Sequence, residues 1–343
     1  MRNATHLKLS VLIKALEYSS PFFHTFIMVV FIYKIDYKKI KNNILNFNKN
    51  DYLVVKSNAY GFGIKKVIKI AYECGMRKFC FIELKDALYI NRTYPYTLVL
   101  LLGPLNKSYL NKCIENEICI TVTNSLDFDL IKDFNINYQI EINSGMNRFG
   151  LNDFDYKSVL LDKRFKGVYS HNATNDINHI NDQLQVFFNF VKFIVDKEIH
   201  FASSSIMNLS IPFTTSRRIG CAIYEDSLEV SAKIISINFC KKESYVGYDY
   251  TYQLQNDGYI GVIDIGYADG LERNCDGFLV YMNGKYFPLI GKACMNHSFV
   301  LLDSSDYLNF TVMIIGKENN ITNYVKYFKK IPHEIYLSFL KRY

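Results

Sequence analysis

The sequence predicts an α/β protein: an N-terminal (β/α)8 TIM-type barrel followed by a mostly antiparallel β-domain. Three observations carry this reading. Short β-rich runs recur from Asp51 onward with helix-length segments between them. After about Ser227 the pattern changes to closely spaced strands split by tight turns. The glycine fingerprint of an open dinucleotide-binding sheet is missing, because Gly61-Phe62-Gly63 is followed by Ile64-Lys65-Lys66 with no third glycine. With 343 residues, 49% of them hydrophobic, the chain is long enough to bury two cores.

In chain order, residues 1–30 read as an N-terminal extension. Lys8, Lys14, Glu17 and His24 interrupt its apolar stretches, so neither a signal-peptide core nor a membrane span is expected, and Met28 is the expected start. Residues 31–227 are the expected barrel. Its strands are Tyr52–Lys56, Lys78–Ile82, Thr97–Leu102, Ile118–Val122, Tyr138–Asn143, Phe165–Ser170, His200–Ser203 and Arg217–Cys221. Strands separated by helix-length segments are parallel strands with crossovers, since antiparallel neighbours need only a tight turn. Eight such units are what barrel closure requires. Residues 228–343 are the expected β-domain, with strands at Val230–Phe239, Tyr245–Leu254, Tyr259–Ile265, Gly277–Met282, Tyr286–Ile290, Ala293–Leu302 and Phe310–Ile315. Asn283-Gly284 marks a hairpin turn.

The net charge of +7 comes from dispersed lysines with acidic residues interspersed. That balance favours small anionic ligands over nucleic acid, for which no basic block is present. The eight cysteines never form the close pairs of a zinc site or redox motif. No metal centre is expected, and reduced thiols in a cytoplasmic protein are.

In a barrel the strand ends and the loops after them build the site, so polar residues there carry weight. Lys56 ends the first apolar strand, where desolvation would lower its pKa and leave it able to form a Schiff base. Glu141 to Arg148 follow the fifth strand, His171 the sixth and Ser203 to Ser205 the seventh, while Arg218 precedes Gly220 and Cys221 at the eighth. Hydroxyls and a glycine-bearing turn suit a phosphate; an arginine and a histidine suit a ring; a lysine suits a carbonyl. Any one of these could be a snorkelling lysine, a surface ion pair or a satisfied core histidine. All of them on one rim fit that explanation poorly.

These segments resemble the alanine racemase family. Val54-Val55-Lys56-Ser57-Asn58-Ala59-Tyr60-Gly61-Phe62-Gly63 is similar to its cofactor-lysine signature. Gly145 to Gly150, Ser170-His171, Arg218-Ile219-Gly220, Gly266-Tyr267-Ala268-Asp269-Gly270 and Gly291 to Met295 are similar to its later motifs. The resemblance runs from about Phe31 to Arg342. It implies a fold-type III enzyme in which Lys56 carries pyridoxal 5'-phosphate and exchanges the α-proton on one face of the substrate, while Tyr267 does so on the other. It implies a homodimer with shared active sites, Tyr267 serving the partner's barrel. Tyr60, Ser204, Gly220 and Cys221 would bind the phosphate, Arg218 would face the pyridine nitrogen with His171 nearby, and Arg148 and Met295 would lie against the substrate. A tyrosine is a poor base in water, so His171 and Arg218 are expected close enough to favour its phenolate. An arginine at the pyridine nitrogen weakens the electron sink and limits side reactions.

Four features depart from the family pattern. Glu141 stands where many members carry a carbamylated lysine and would offer Arg148 a similar negative charge. Asn296 follows Met295 in place of an aspartate. Ser203 replaces an asparagine. The chain ends at Tyr343, where the family continues through a terminal strand, so a phosphate contact near the carboxyl end is expected to be missing. The leading expectation is interconversion of L- and D-alanine for peptidoglycan. A serine or broad-specificity racemase, a cofactor-binding homologue without turnover and a decarboxylase of the same fold are the alternatives. Gly266 to Gly270 argues against a carrier built of the barrel alone, and Arg218 argues against the decarboxylase, which would place a carboxylate at that nitrogen.

Overall fold

A computed structural model describes residues 32–340; the expectations for residues 1–30 lie outside them. The first strand, β1 (Ile32–Ile35), runs antiparallel to Leu228–Ser231 and so belongs to the second sheet, not to the barrel. The barrel strands are β2 (Tyr52–Val54), β3 (Lys78–Phe81), β4 (Leu98–Leu101), β5 (Ile120–Val122), β6 (Tyr138–Glu141), β7 (Phe165–Tyr169), β8 (Glu198–Ser203) and β9 (Ser216–Ile219). They pair in the order β4-β3-β2-β9-β8-β7-β6-β5. The ring closes through a parallel bridge between Leu100 and Cys119, where Cys119 N–H donates to Val99 O at 2.9 Å and Leu101 N–H to Cys119 O at 2.8 Å.

Every apolar run expected in this half is therefore a strand of one parallel sheet. The physical reason is burial on both faces. Tyr52, Leu53 and Val54 are all buried, as are all residues of β6, because helices cover the outside and side chains fill the inside. The helix Ile64–Glu73 buries Ile64, Val67, Ile68 and Ala71, the spacing of one helical face. The helix Ile177–Val191 starts at Asp176, whose carboxylate accepts from the backbone of Asn178 and His179.

The second region is built on β10 (Leu228–Cys240), long enough to take β1 and β17 along its first half and β13 along its second. After it come β11 (Tyr245–Val246), β12 (Tyr252–Gln253), β13 (Gly258–Ile263), β14 (Leu279–Met282), β15 (Lys285–Pro288), β16 (Ser298–Leu302) and β17 (Thr311–Ile315). The hairpin expected at Asn283-Gly284 is present, with Met282 opposite Lys285 and both turn residues at positive φ.

One expectation is corrected, and one segment without an expected element is found to be helical. The strand expected over Ala293–Leu302 begins only at Ser298, because the backbone of Cys294 and Met295 is used to hold another loop. The segment after β17 is helical, at Ile321–Phe328 and Pro332–Leu340, since Ile335, Tyr336, Phe339 and Leu340 recur at helical spacing and pack inward.

Candidate active site

The residues after β2 do not continue as an ordinary loop. Ser57, Asn58, Ala59 and Tyr60 all lie at φ between 53 and 56°, a left-handed turn starting at Lys56. Each such non-glycine residue costs about 1–2 kcal/mol. Local bonds offset part of that: Gly61 N–H reaches Ser57 O at 3.1 Å and Ile64 N–H reaches Asn58 Oδ1 at 2.9 Å. Burial of Ala59, Tyr60 and Phe62 supplies the rest of the fixing force. The turn carries Tyr60 back across the barrel mouth, where its hydroxyl abuts Gly220; a Cβ at Gly220 would collide with that oxygen.

Opposite this turn, Ser204 opens a short helical turn after β8. Its Oγ accepts from Gly220 N at 2.9 Å and from Ala222 N at 3.3 Å. Two backbone N–H groups and two hydroxyls thus converge with no side chain on Gly220 to separate them. Burial pushes the neighbouring Cys221 thiol up to about 12, keeping it protonated.

Arg218 is only 4% exposed and points across the barrel axis. Its guanidinium donates to Ser170 O at 2.5 Å, His200 O at 3.0 Å, His200 Nδ1 at 2.9 Å and His171 Nδ1 at 3.2 Å, and stacks over Tyr169 at 4.7 Å. An arginine can only donate, so both imidazoles accept at Nδ1 and carry their proton on Nε2. For His200 that proton goes to Gln139 Oε1 at 2.6 Å. Burial, then the Arg218 charge, pulls the His171 pKa down to about 3, and the same causes hold His200 well below its ordinary value. Both rings are neutral at neutral pH.

Lys56 is held below the usual lysine range by burial and by Arg148, with Glu83 pulling the other way. Glu141 is buried, accepts from Tyr169 OH at 3.2 Å and lies 4.0 Å from Arg148 Nη2. Burial raises its pKa, and Arg218 and Arg148 counteract that.

One cavity of about 580 Å³ brings together Lys56, Tyr60, Arg148, His171, Ser204, Arg218, Gly220 and Cys221. Tyr267 and Met295 do not line it. They stand side by side on the second region, 42% and 57% exposed. There Tyr267 N–H donates to Cys294 O at 3.0 Å and Ala268 N–H to Met295 O at 2.9 Å. Asn172 and His333 are among the cavity residues that sequence reasoning missed. Asn172 has a buried Oδ1 without a partner, and His333 comes from the C-terminal helix. Asn172 sits directly after the Ser170-His171 motif, where its place at a strand end was a usable signal; His333 had none. A second cavity of about 400 Å³ at the junction of the two regions holds Lys34, Lys39 and Lys317 against Asp36, Asp226 and Glu229.

A closed parallel barrel with a desolvated lysine, paired hydroxyls and a buried arginine at its mouth, joined to an antiparallel domain, defines a class of barrel enzymes working at their strand ends. Residues 35–227 match the alanine racemase N-terminal domain and residues 227–343 the alanine racemase C-terminal domain. An alanine racemase of Pediococcus pentosaceus is 26% identical over 350 residues, covering 90% of this chain and 94% of that protein. The crystal structure of alanine racemase from Bacillus anthracis with bound L-Ala-P is similar at TM-score 0.76 and 26% identity, covering 90% of this chain and 92% of that one. That from Bartonella henselae, with covalently bound pyridoxal phosphate, superposes at TM-score 0.80 and 24% identity, covering 91% and 98%. The chain belongs to the alanine racemase family and is an isomerase.

Proposed function

We propose that the protein interconverts L- and D-alanine with pyridoxal 5'-phosphate on Lys56, as a homodimer in which the partner's Tyr267 completes each site, and that the D-alanine serves peptidoglycan. The observation that carries this reading is the division of the expected site residues: the cavity is lined by each of those on the barrel, and Tyr267 and Met295 lie exposed elsewhere on the same chain.

The cavity's chemistry supports the cofactor. The Ser204 and Tyr60 hydroxyls offer a phosphate neutral donors, Ser204 Oγ being fixed by the Gly220 and Ala222 N–H groups it accepts from, and the bare Cα of Gly220 lets the phosphate approach. Burial disfavours the Lys56 ammonium and so eases loss of the proton that the amine must shed to join an aldehyde and later to act as a base. Once bound, the cofactor would supply an electron sink that makes the α-hydrogen of an amino acid acidic.

The chain's own groups then divide the work. Lys56 Nζ holds or releases the α-proton on one face. His171, neutral with its proton on Nε2, has that N–H left for the phenolate of the partner's Tyr267, which would exchange the proton on the opposite face. Arg218, with its donors committed to carbonyls and imidazoles, is a fixed positive group at the ring. Arg148, half-exposed and tethered by Glu141, is placed for a substrate carboxylate.

The test is to follow loss of optical rotation from L-alanine with added cofactor, then reduce with borohydride and map the modified peptide. Racemisation with the cofactor mass on Lys56 is expected. A modified residue elsewhere would defeat the site assignment, and turnover of L-serine but not L-alanine would replace the substrate.

A further inference from the structure

We propose that Gln183, on a helix outside the barrel, is a positioning residue that sets the Arg148 loop and the His171 loop against each other. Through it, gripping the substrate carboxylate and placing His171 become one adjustment. This rests on the reading above that Arg148 meets the carboxylate and that His171 serves the partner's Tyr267.

The helix Ile177–Val191 buries Ile180, Gln183, Phe187 and Val191 on one face. A glutamine in that apolar stripe, 6% exposed, costs stability unless both ends of its amide are bonded. Here Oε1 accepts from Ala173 N–H at 2.9 Å, while Nε2 makes two longer bonds, to His171 O at 3.5 Å and to Ser144 Oγ at 3.4 Å. A backbone N–H on one side and a carbonyl on the other fix which end is the oxygen.

The Ser144 contact continues as a directed chain. Ser170 Oγ spends its one proton on Ile142 O at 2.7 Å, so Ser144 Oγ donates to Ser170 Oγ at 2.7 Å and accepts from Gln183. The carbonyl of the same Ser170 takes the Arg218 guanidinium. One buried amide is thus bonded to the segment after β7 and, through Ser144, to the loop after β6.

That loop is braced as a unit. Asn143 N–H to Leu151 O at 3.0 Å and Leu151 N–H to Glu141 O at 2.8 Å close its base, and the Asn143 side chain accepts from the N–H groups of Gly145 and Asn147 within it. Gly145, at φ 132°, lays its bare Cα against Gln183, where a Cβ would stand 3.5 Å from Cγ. A displacement at Ser144 is therefore carried to Arg148, and the amide carries it to the backbone of His171 and Ala173.

The test begins on the protein without cofactor, by hydrogen–deuterium exchange read on peptides. Gln183→Met keeps the side-chain length, removes the bonds, and should speed exchange in both 142–151 and 171–175. Ser144→Ala should speed it in 142–151 alone. With pyridoxal phosphate added, kcat and KM for α-deuterium incorporation are then measured on L- and D-alanine separately. Both variants should raise KM for both isomers by roughly three- to tenfold, the worth of one hydrogen bond. Gln183→Met should also lower kcat more for the isomer that Tyr267 serves, identified by Tyr267→Phe, than for the other. Equal kcat losses on the two isomers, or an unmoved KM in Ser144→Ala, would overturn the proposal and leave Gln183 a packing residue. Should Gln183→Met not fold, Ser144→Ala decides alone through its peptide exchange and its KM. A wild-type protein that exchanges neither isomer would defeat the racemase reading, and this inference with it, before any variant is made.

Discussion

The barrel mouth and the exposed strip around Tyr267 hold residues of one proposed site, yet they are built on opposite plans. At the mouth, Arg218 is buried, its donors are taken up by carbonyls and imidazoles, and two histidines take fixed tautomers from it. On the strip, Tyr267 and Met295 are exposed while their backbone is held, by bonds that the Tyr267 and Ala268 N–H groups donate to the Cys294 and Met295 carbonyls. The lesson is that the first half is finished on folding, whereas in the proposed homodimer the second half would be finished by association. A side chain whose backbone is pinned and whose ring is free is arranged for a neighbour.

The sharpest way to break the comparison is Tyr267→Phe. It should remove α-hydrogen exchange from one isomer of alanine by about 10²–10⁴-fold, leave exchange on the other, and leave cofactor binding intact. Deuterium incorporation measured separately on L- and D-alanine checks it. Because the ring is exposed, the urea midpoint should stay within about 0.5 kcal/mol of wild type. Mixing this variant with Lys56→Ala should restore part of the activity after subunit exchange; none would count against a shared site.

Arg218→Met should show the reverse signature, a loss of folding stability as well as of turnover. It leaves Ser170 O and His200 O without their donor in the core, at about 1–3 kcal/mol for each group. The expected loss is about 2–4 kcal/mol in the urea midpoint at constant slope, and a variant as stable as wild type would show the mouth to be less tightly built than described. The His171 ring, still lowered by burial but freed of the adjacent charge, should titrate above the value of about 3 set in the wild type, which NMR of the ring protons would follow.

Acid should act on the mouth before the strip. His171 and His200 are buried as neutral rings with lowered pKa values, so below about 6.5 the unfolded chain binds protons that the native state refuses. Stability therefore falls as pH drops from about 6.5 toward 3, by up to about 1.4 kcal/mol per unit for each ring. Glu141, raised by burial, slopes the other way above 4.5, one group against two. Denaturant midpoints at pH 7, 5.5 and 4.5 measure the sum, and a flat profile would refute it. The smallest effect belongs to Glu141→Gln. Its contact with half-exposed Arg148 is at the 4.0 Å limit, so KM for alanine should rise only a few-fold, with kcat nearly unchanged.

How much of this was readable from the residues follows the same division. The barrel strands were legible because parallel strands buried on two faces must be continuous apolar runs, and Lys56, His171, Ser204 and Arg218 stand where such runs end. The left-handed turn was not legible: of Ser57, Asn58, Ala59 and Tyr60 only Asn visits positive φ readily, one residue does not announce a run of four, and tertiary packing of Tyr60 and Phe62 imposes it. The motif containing Tyr267 was legible as a motif, but the residues alone do not show that its side chain stands exposed and outside the cavity of its own barrel. His333 was invisible, since a histidine in the first turn of a late helix acquires meaning only from Tyr60 and Gly220, residues far away in the chain. The expected strand at Ala293–His297 failed because a run of apolar character was spent on holding the Gly266 turn.

The pairing of β1 with Leu228–Ser231 also has a consequence for how the chain is made. At a synthesis rate of about 5–20 residues per second, the residues that complete β1's ladder leave the ribosome roughly 10–40 s after β1 itself. The barrel can close in that interval, since its strands and their covering helices lie between residues 52 and 219. Ile32–Ile35 must wait as an unpaired edge, with Asp36 N–H lacking its Ser227 carbonyl. Among the described strands, the first to emerge is thus one of the last to find its place, and the nascent chain carries an open strand edge through most of its synthesis.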